Sequence, residues 1–336
     1  MSMNLTQADI DALIEQAESQ LELESVIGTR DLASKILSRK TIPSRPLPWK
    51  WTEGKFELRP GEVTIWAGDN GSGKSLLVGQ AIAWLMLQGQ KALIASMEMR
   101  PEETVGRICD QTAGCKASDG WVRSFCDWAE GRLWLYDRLD TVASDHVLAM
   151  IRAVTMHLGV QHVVIDSLVK CGIAQDGNGH LTAQTGFVDS LQHLAKHLDI
   201  HVHLIAHMRK PEREGARATK HDIRGASQIT DLADNVVLLS RNRAKEAALA
   251  KQAHGAMLTD AERAEIDNAA DTWMTIAKQR HFSYEGVFGL NYRADCGQFV
   301  SFGDAKALYW PEPWGKKPVE QKHQEHDDGA YFNEFI

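Results

Sequence analysis

Cysteine is scarce in this chain and is never paired at short spacing. The 336 residues include five cysteines, and no two of them form a C-x-x-C pair. Zinc sites and small disulfide frameworks depend on closely spaced cysteines, so the sequence supports neither. Reduced thiols are therefore expected, as in a cytoplasmic protein.

Long apolar runs and an excess of positive charge are also missing. No stretch approaches the roughly 20 apolar residues of a transmembrane helix. The segment from Met1 to Asp9 lacks the basic flank and apolar core of a signal peptide. We therefore expect a cytoplasmic protein with no membrane partner. Because the formal net charge is −8, nucleic-acid binding would depend on a local basic patch rather than on the overall field.

The chain divides by composition into three parts. Residues 1–50 are predicted to form an N-terminal helix, starting near Thr6, followed by a proline-rich linker. This helix is expected either to fold back on its own domain or to pack on a neighbouring subunit. Residues 51–303 form the main domain, with a helical insertion at 244–271. Residues 304–336 form a tail that is acidic and aromatic at its end.

Apolar strand-like runs alternate with helical stretches through the main domain. The predicted strands are Val63–Ala67, Ala92–Ser96, Leu133–Tyr136, His162–Asp166, His201–Ala206, Asn235–Leu239, Trp273–Lys278 and Gly286–Tyr292. This alternation predicts an α/β fold with a mostly parallel central sheet flanked by helices, which the last strands extend as antiparallel hairpins.

A nucleotide-binding loop follows the first predicted strand. It fits G-x-x-x-x-G-K-[ST] at every fixed position and lies between a strand and a helix, as a P-loop should. The predicted nucleotide-binding segment is Gly68, Asp69, Asn70, Gly71, Ser72, Gly73, Lys74, Ser75 and Leu76. Glycines let backbone N–H groups close around phosphates, Lys74 reaches the β- and γ-phosphates, and Ser75 ligates Mg²⁺. The chain is thus predicted to bind ATP, or another nucleoside triphosphate, with Mg²⁺.

Two carboxylates follow other predicted strands. Asp166 ends the apolar run that starts at His162, which is the Walker B arrangement for holding Mg²⁺. Glu98 lies just past the strand Ala92–Ser96, where it could orient the water that attacks the γ-phosphate. A capping or surface role is the alternative for Glu98. His201 and His203 share a strand face, and we expect them to be ordinary strand histidines rather than metal ligands.

Three further segments of the sequence resemble motifs of a known family. They are Ser96-Met97-Glu98-Met99, Ile205-Ala206-His207 and the stretch from Asp222 to Asp234. Together they resemble DnaB-type replicative ring helicases, a RecA-like family that includes phage primase–helicases and mitochondrial Twinkle. The resemblance covers roughly residues 55–300. It departs from the family at Asp231, where a glutamine is usual, and at Ala226, where a serine is usual.

The resemblance implies a role for several further residues. Glu98 would be the catalytic base, and His207 would sense the γ-phosphate. Lys278 and Arg280, in a K-x-R strand, would be presented to the ATP of the adjacent subunit, although surface cations on an edge strand are the alternative. Arg241 and Tyr292 match positions that sandwich the nucleobase.

A loop rich in cations separates His207 from the Asp222–Asp234 stretch. For an arbitrary protein this would be a solvated charge run. In the resembling family this position is a pore loop that grips the single-stranded DNA backbone. The residues predicted to bind DNA are Arg209, Lys210, Arg213, Arg217, Lys220 and Arg224. A glycine-rich segment at 170–180, with Lys170 as its only lysine or arginine, is a weaker candidate for a second pore loop.

These features predict an ATP-dependent replicative DNA helicase of phage type. The resemblance implies a hexameric ring that translocates 5′ to 3′ on single-stranded DNA. Because only about fifty residues precede the ATPase domain, we expect no primase. The acidic, aromatic tail is expected to dock on a polymerase or another replisome protein, with a plain disordered terminus as the alternative. A RecA-like recombination or strand-annealing ATPase that forms filaments is the second hypothesis. A nucleotide-dependent scaffold without catalysis is the third, and the presence of Glu98, Asp166 and Arg280 argues against it.

Overall fold

The computed structural model describes residues 29–39, 45–172, 180–208, 219, 222–223, 226–304, 306–308 and 310. The chain separates into two compact units after Ser44. The described part of the first unit is helix α1 (Thr29–Arg39), in which Ile36 and Leu37 are exposed. The helix predicted to start near Thr6 lies outside the described residues.

The second unit contains nine strands and the helices between them. The strands are β1 (Val63–Gly68), β2 (Ala92–Ser96), β3 (Leu133–Leu135), β4 (His162–Asp166), β5 (His201–His207), β6 (Asn235–Arg241), β7 (Thr272–Gln279), β8 (Gly286–Arg293) and β9 (Gln298–Ser301). The helices are α2 (Lys74–Leu87), α3 (Pro101–Ala113), α4 (Asp119–Ala129), α5 (Ser144–Leu158), α6 (His180–Leu198), α7 (Ala226–Leu232), α8 (Arg243–Ala253) and α9 (Asp260–Asn268), together with short 3₁₀ turns at Lys50–Thr52 and Leu168–Lys170. Across the described residues, none of the helices has the length and apolar character needed to cross a bilayer.

All nine strands belong to one sheet with the order β3-β2-β4-β5-β1-β6-β7-β8-β9. The first six of these pair in parallel, and β7, β8 and β9 continue the sheet with antiparallel pairing. The predicted α/β fold, with a mostly parallel central sheet and an antiparallel extension, is therefore confirmed. Strand β9 was not predicted.

The central strands are apolar because helices cover both faces of the sheet. Every residue of β1, β2 and β4 is buried, as expected for strands in a parallel sheet. Successive side chains enter different cores: Trp66 packs in one with Phe56, while Ile65 packs in the other with Leu204. The two cores hold the sheet between helical layers. Because the first six strands in the sheet order run parallel, their carboxyl ends lie along one edge.

The insertion between β6 and β7 consists of the two helices α8 and α9. The side chain of Asn242 accepts a hydrogen bond from the amide of Lys245 at the start of α8. Thr259 and Glu262 form a capping box at the start of α9, within the predicted helical insertion. Local capping therefore defines both helices, because polar caps satisfy the first backbone N–H groups.

Residues on either side of the predicted main domain also pack into the second unit. Leu47 and Trp49, from the predicted linker, are buried, and the indole of Trp49 donates to the carbonyl of Phe299. Trp310 is buried beside Trp84, with their ring centroids 5.4 Å apart. The acidic end of the tail lies outside the described residues.

A buried polar layer crosses the amino ends of β4, β5 and β1. His162, His201 and His203 are fully buried, and burial lowers the pKa of all three imidazoles. His162 Nδ1 lies 3.1 Å from His203 Nε2, and His201 Nε2 lies 2.9 Å from the hydroxyl of Thr64. Within the described residues, no group of three or more histidine, cysteine or carboxylate side chains is placed to hold a metal ion. The histidines satisfy one another and their neighbours as neutral hydrogen-bonding groups.

Glu62 belongs to the same end of the sheet and is expected to make folding depend on pH. Burial raises its pKa to about 7, opposed by the hydrogen bond from Asn235 and the charge of Arg59 and reinforced by the charge of Asp234. His281 Nε2 lies 3.4 Å from the other carboxylate oxygen. Because this raised pKa favours the protonated acid in the folded state, the contribution of Glu62 to stability falls as pH rises from about 4.5 to 7.

The Glu62→Gln variant should therefore be more stable than the parent at pH 8, by about 2–3 kcal/mol, and much less so at pH 5. Glutamine imitates the protonated acid and keeps an acceptor for Asn235. Urea unfolding at both pH values measures the difference, with the exposed Glu53→Gln as the control. Equal stabilisation at both pH values would contradict the assignment.

Candidate active site

The P-loop connects β1 to α2 at the carboxyl edge of the parallel strands. Gly71 and Gly73 adopt positive φ angles of 72° and 86°, a backbone region that favours glycine. A Cβ atom on Gly68 would lie 2.3 Å from the carbonyl oxygen of Leu239, and one on Gly73 would lie 2.6 Å from the ring of Phe299. The sheet therefore leaves room only for glycine at these two positions.

Lys74 extends into the interior of this loop. Its Nζ donates to the carbonyls of Gly68 at 3.0 Å and Asp69 at 2.8 Å. Burial lowers the pKa of its ammonium group, while the charges of Asp166, Glu98 and Asp69 oppose the shift. A buried cation among carbonyls is well placed to bind phosphate oxygens, which would compensate its charge more fully.

The predicted metal ligands lie next to each other beneath the loop. The Ser75 hydroxyl donates to Asp166 Oδ2 at 2.6 Å. Asp166 is buried, and desolvation raises its pKa. A hydroxyl and a carboxylate suit Mg²⁺, which usually takes only one or two protein oxygens and completes its shell with water and phosphate. The Ser72 hydroxyl is buried and has no hydrogen-bond partner among the described residues. It could therefore donate a hydrogen bond to a phosphate oxygen.

Glu98, Ser167 and His207 form a hydrogen-bonded group at the same edge. Ser96 and Asp166 are register partners, as are Gly68 and His207, so these strand ends converge. Glu98 Oε1 accepts a hydrogen bond from the Ser167 hydroxyl at 2.6 Å and lies 3.5 Å from His207 Nε2. The hydrogen bond with His207, followed by that with Ser167, lowers the pKa of Glu98 to about 2 against the effect of burial. The carboxylate is therefore ionised at neutral pH.

Ser167 and Arg107 are site residues that the sequence analysis missed. A cavity between α2, α3 and the sheet is lined by Ser75, Asp166 and Arg107, so it opens beside the metal ligands. Arg107 shares one face of α3 with Thr104 and Gln111, which line the same cavity. Helical spacing from these polar neighbours was the available signal for Arg107. A single serine after Walker B offered none.

Arg241 and Tyr292 lie on the other side of the P-loop. Arg241 ends β6 and donates to the carbonyl of Gly71 at 3.3 Å, while its side chain also pairs with Glu246. The ring of Tyr292 lies 5.3 Å from that of Phe299, the residue in contact with Gly73. Both predicted base-binding side chains are thus close to the start of α2.

The structure places Lys278 and Arg280 at the opposite edge of the sheet. In the β6–β7 register, Lys278 pairs with Val236, whereas the P-loop residue Gly68 pairs with Leu239 near the other end of β6. Gln279 pairs with Asn235, and the four residue steps from Asn235 to Leu239 span about 13 Å. Arg280, the next residue, therefore lies at the other end of β6 from the P-loop of its own subunit. Lys278 Nζ donates to the carbonyls of Thr230, Asp231 and Ala233.

The predicted DNA-binding residues lie outside the described residues. These are Arg209, Lys210, Arg213, Arg217, Lys220 and Arg224. Their assignment remains a prediction, as does that of the glycine-rich segment, of which 173–179 are also outside the described part. Strand β5 ends at His207, and the described part of the chain continues only to Met208 before the basic segment.

Comparisons with known proteins agree with the fold and the P-loop. A family model described as an AAA domain matches residues 33–213. The DNA helicase/primase of Enterobacteria phage T3 is 26% identical over 204 residues, which cover 55% of this chain and 36% of that protein. The Twinkle homolog protein, chloroplastic/mitochondrial, of Arabidopsis thaliana is 24% identical over 216 residues, covering 59% of this chain and 30% of that protein. The chain thus spans about a third of the length of these curated relatives.

Solved structures give the same result for the fold. A DnaB-like replicative helicase, described together with its interactions with primase, superimposes with a TM-score of 0.63 at 16% identity, covering 87% of this chain and 70% of that one. A second solved structure, an ATPase domain, gives a TM-score of 0.61 at 16% identity and covers 88% of this chain and 99% of its own. The resemblance inferred from the sequence motifs is confirmed.

Proposed function

This chain belongs to the AAA domain family, and we propose that it is the ATPase motor of a replicative DNA helicase whose active sites form between subunits. The observation that carries the proposal is the division of catalytic groups across the sheet. The P-loop, Ser75, Asp166 and Glu98 converge at one edge, while Arg280 lies at the other. A second copy would be needed to bring Arg280 to each nucleotide.

Within one subunit, each residue would have a separate task in hydrolysis. Lys74 would hold the β- and γ-phosphates, and Ser75 and Asp166 would hold Mg²⁺, which supplies positive charge to the phosphate oxygens. Glu98 would orient the attacking water, since its carboxylate stays ionised and its orientation is fixed by Ser167. The preferred triphosphate is proposed to be ATP.

His207 would connect the state of the nucleotide to the DNA. Its Nε2 lies 3.5 Å from Glu98, so a γ-phosphate oxygen could compete with Glu98 for the same N–H donor. Because Arg209 follows two residues later, loss of the γ-phosphate would be transmitted to the basic segment proposed to bind single-stranded DNA. We propose a hexameric ring that moves 5′ to 3′ in the cytoplasm and docks on a replisome protein through its tail.

Unwinding of forked DNA tests this function directly. The protein with ATP and Mg²⁺ should separate a fork with a 5′ single-stranded tail but not one with only a 3′ tail, and the Lys74→Ala variant should separate neither. Negative-stain images with ATP and single-stranded DNA should show closed rings. Filaments that anneal or exchange strands without unwinding would instead favour the RecA-like recombination or strand-annealing alternative.

A further inference from the structure

Asp234 is a buried carboxylate in contact with Arg280. Its side chain is only 6% exposed, whereas that of Arg280 is 46% exposed, and Arg280 Nη1 lies 3.3 Å from Asp234 Oδ1. Asp234 lies in the short connection between α7 and β6. The half-exposed guanidinium of Arg280 therefore forms an ion pair with a buried carboxylate of its own subunit.

The Asp234 carboxylate is itself held by two other elements. Its Oδ2 accepts a hydrogen bond from the backbone amide of Val63 at 3.0 Å, at the first residue of β1. Its Oδ1 accepts from Gln192 Nε2 at 3.4 Å, on α6. Since these partners belong to the central strand and to a covering helix, the position of the carboxylate is fixed by the core.

Backbone carbonyls restrain the other arm of the guanidinium. Arg280 Nη2 donates to the carbonyl of Leu232 at 3.1 Å and to that of Asp231 at 3.3 Å, at the carboxyl end of α7. A guanidinium has five N–H donors in a rigid planar fork. Holding two of its nitrogens in this way restrains the orientation of the guanidinium plane.

We propose that Asp234 is the positioning residue of the arginine finger: it fixes the guanidinium of Arg280 in one subunit for the nucleotide bound by the next. The inference rests on the proposed function, because it requires Arg280 to act across an interface. An unsupported arginine side chain would sample many rotamers, and a misplacement of about 1 Å can cost about 10²-fold in rate.

Lys278, the other cation of the K-x-R strand, is held by backbone carbonyls of its own subunit. Its Nζ donates to three carbonyls around the end of α7 at 2.7–2.8 Å, which accounts for all three donors of an ammonium group. Arg280 is half exposed, and a buried carboxylate supports its guanidinium. These contacts suit Lys278 to a structural role at the end of α7 and Arg280 to a role at the surface.

The test is Asp234→Asn, which keeps an oxygen acceptor for Val63 but removes the charge that holds Arg280. DNA-stimulated ATP hydrolysis should fall about 10²-fold in kcat, with unchanged KM for ATP and unchanged affinity for single-stranded DNA. Two mixing experiments then locate the defect. Mixed with Lys74→Ala, which supplies an intact finger, the variant should regain activity. Mixed with Arg280→Ala, it should not, since neither protein then supplies a working finger.

Any other pattern overturns the proposal. A structural defect would be rescued by both partners or by neither, and an increase in hydrolysis would mean that Asp234 restrains the finger rather than positions it. Failure of Lys74→Ala and Arg280→Ala to complement each other in mixed oligomers would instead refute the proposed function itself, once doping with the parent protein has excluded obligatory coordination around the ring. If Asp234→Asn does not assemble, Gln192→Leu, which removes one support of the carboxylate, should show the same rescue pattern with a loss of about 10-fold; absence of that pattern refutes the proposal.

Discussion

The Arg280→Ala variant is expected to hydrolyse ATP about 10³-fold more slowly than the parent in the presence of DNA, while binding nucleotide and DNA like the parent. The reason is that a guanidinium stabilises charge on the transferring phosphoryl oxygens only in the transition state. Arg280 lies at the edge of the sheet remote from the P-loop, so its removal should leave Lys74, Ser75 and Asp166 in place. Arg263→Ala, at another exposed arginine, is the matched control and should retain full activity.

Mixing variants shows whether Arg280 acts between subunits. Arg280→Ala and Lys74→Ala are each expected to be inactive, but an interface that pairs an intact P-loop with an intact finger should hydrolyse ATP. Recovery should therefore depend on the ratio of the two proteins and vanish when either is alone. If mixed oligomers form without any activity, doping each variant with the parent protein decides between obligatory coordination around the ring and a wrong assignment. Normal hydrolysis by Arg280→Ala alone would refute the assignment.

The second large effect is expected from Glu98→Gln, which should lower hydrolysis about 10²- to 10⁴-fold. Glutamine can still accept the hydrogen bond from Ser167 but carries no charge with which to activate water. Nucleotide affinity should be retained, because Lys74 and the P-loop are unchanged, whereas Lys74→Ala should lose both affinity and hydrolysis. Comparing equilibrium ATP binding with single-turnover hydrolysis separates the two variants. Glu102→Gln, at an exposed glutamate on α3, is the control.

The pH dependence of the parent provides an independent check on Glu98. Since its pKa is lowered to about 2 by His207 and Ser167, protonation of Glu98 should not limit hydrolysis between pH 5 and 8. A loss of activity toward low pH within that range that moves to higher pH in Ser167→Ala would show that protonation of Glu98 limits hydrolysis there and would contradict this environment. Parental hydrolysis by Glu98→Gln would show that another group positions the water.

The extent to which the sequence predicted this structure differs between local and long-range features. The eight predicted strands and the P-loop depend on apolar runs and glycine spacing, which are local signals. Strand β9 was missed because its four residues, Gln298–Ser301, are too short to show a periodicity. It pairs with β8, and Gln80 bonds both the amide and the carbonyl of Phe299, a contact between distant parts of the chain.

The same distinction holds for the candidate site. Lys74, Ser75 and Asp166 were found from motifs, whereas Asp234 and Ser167 were not assigned any role. A single aspartate or serine has no pattern of its own. Only the packing of β6 beside β7 brings Asp234 to Arg280, and only the pairing of β2 with β4 brings Ser167 to Glu98.

The placement of the P-loop and Arg280 at opposite ends of the strands also bears on the symmetry of the proposed assembly. If Arg280 acts on the nucleotide of the next subunit, the surface that offers the arginine differs from the surface that receives it, and a head-to-tail, heterologous contact joins the two. An open chain of subunits would always leave one P-loop without an arginine and one arginine without a nucleotide. Only closure of the chain into a cycle makes the number of complete sites equal to the number of subunits.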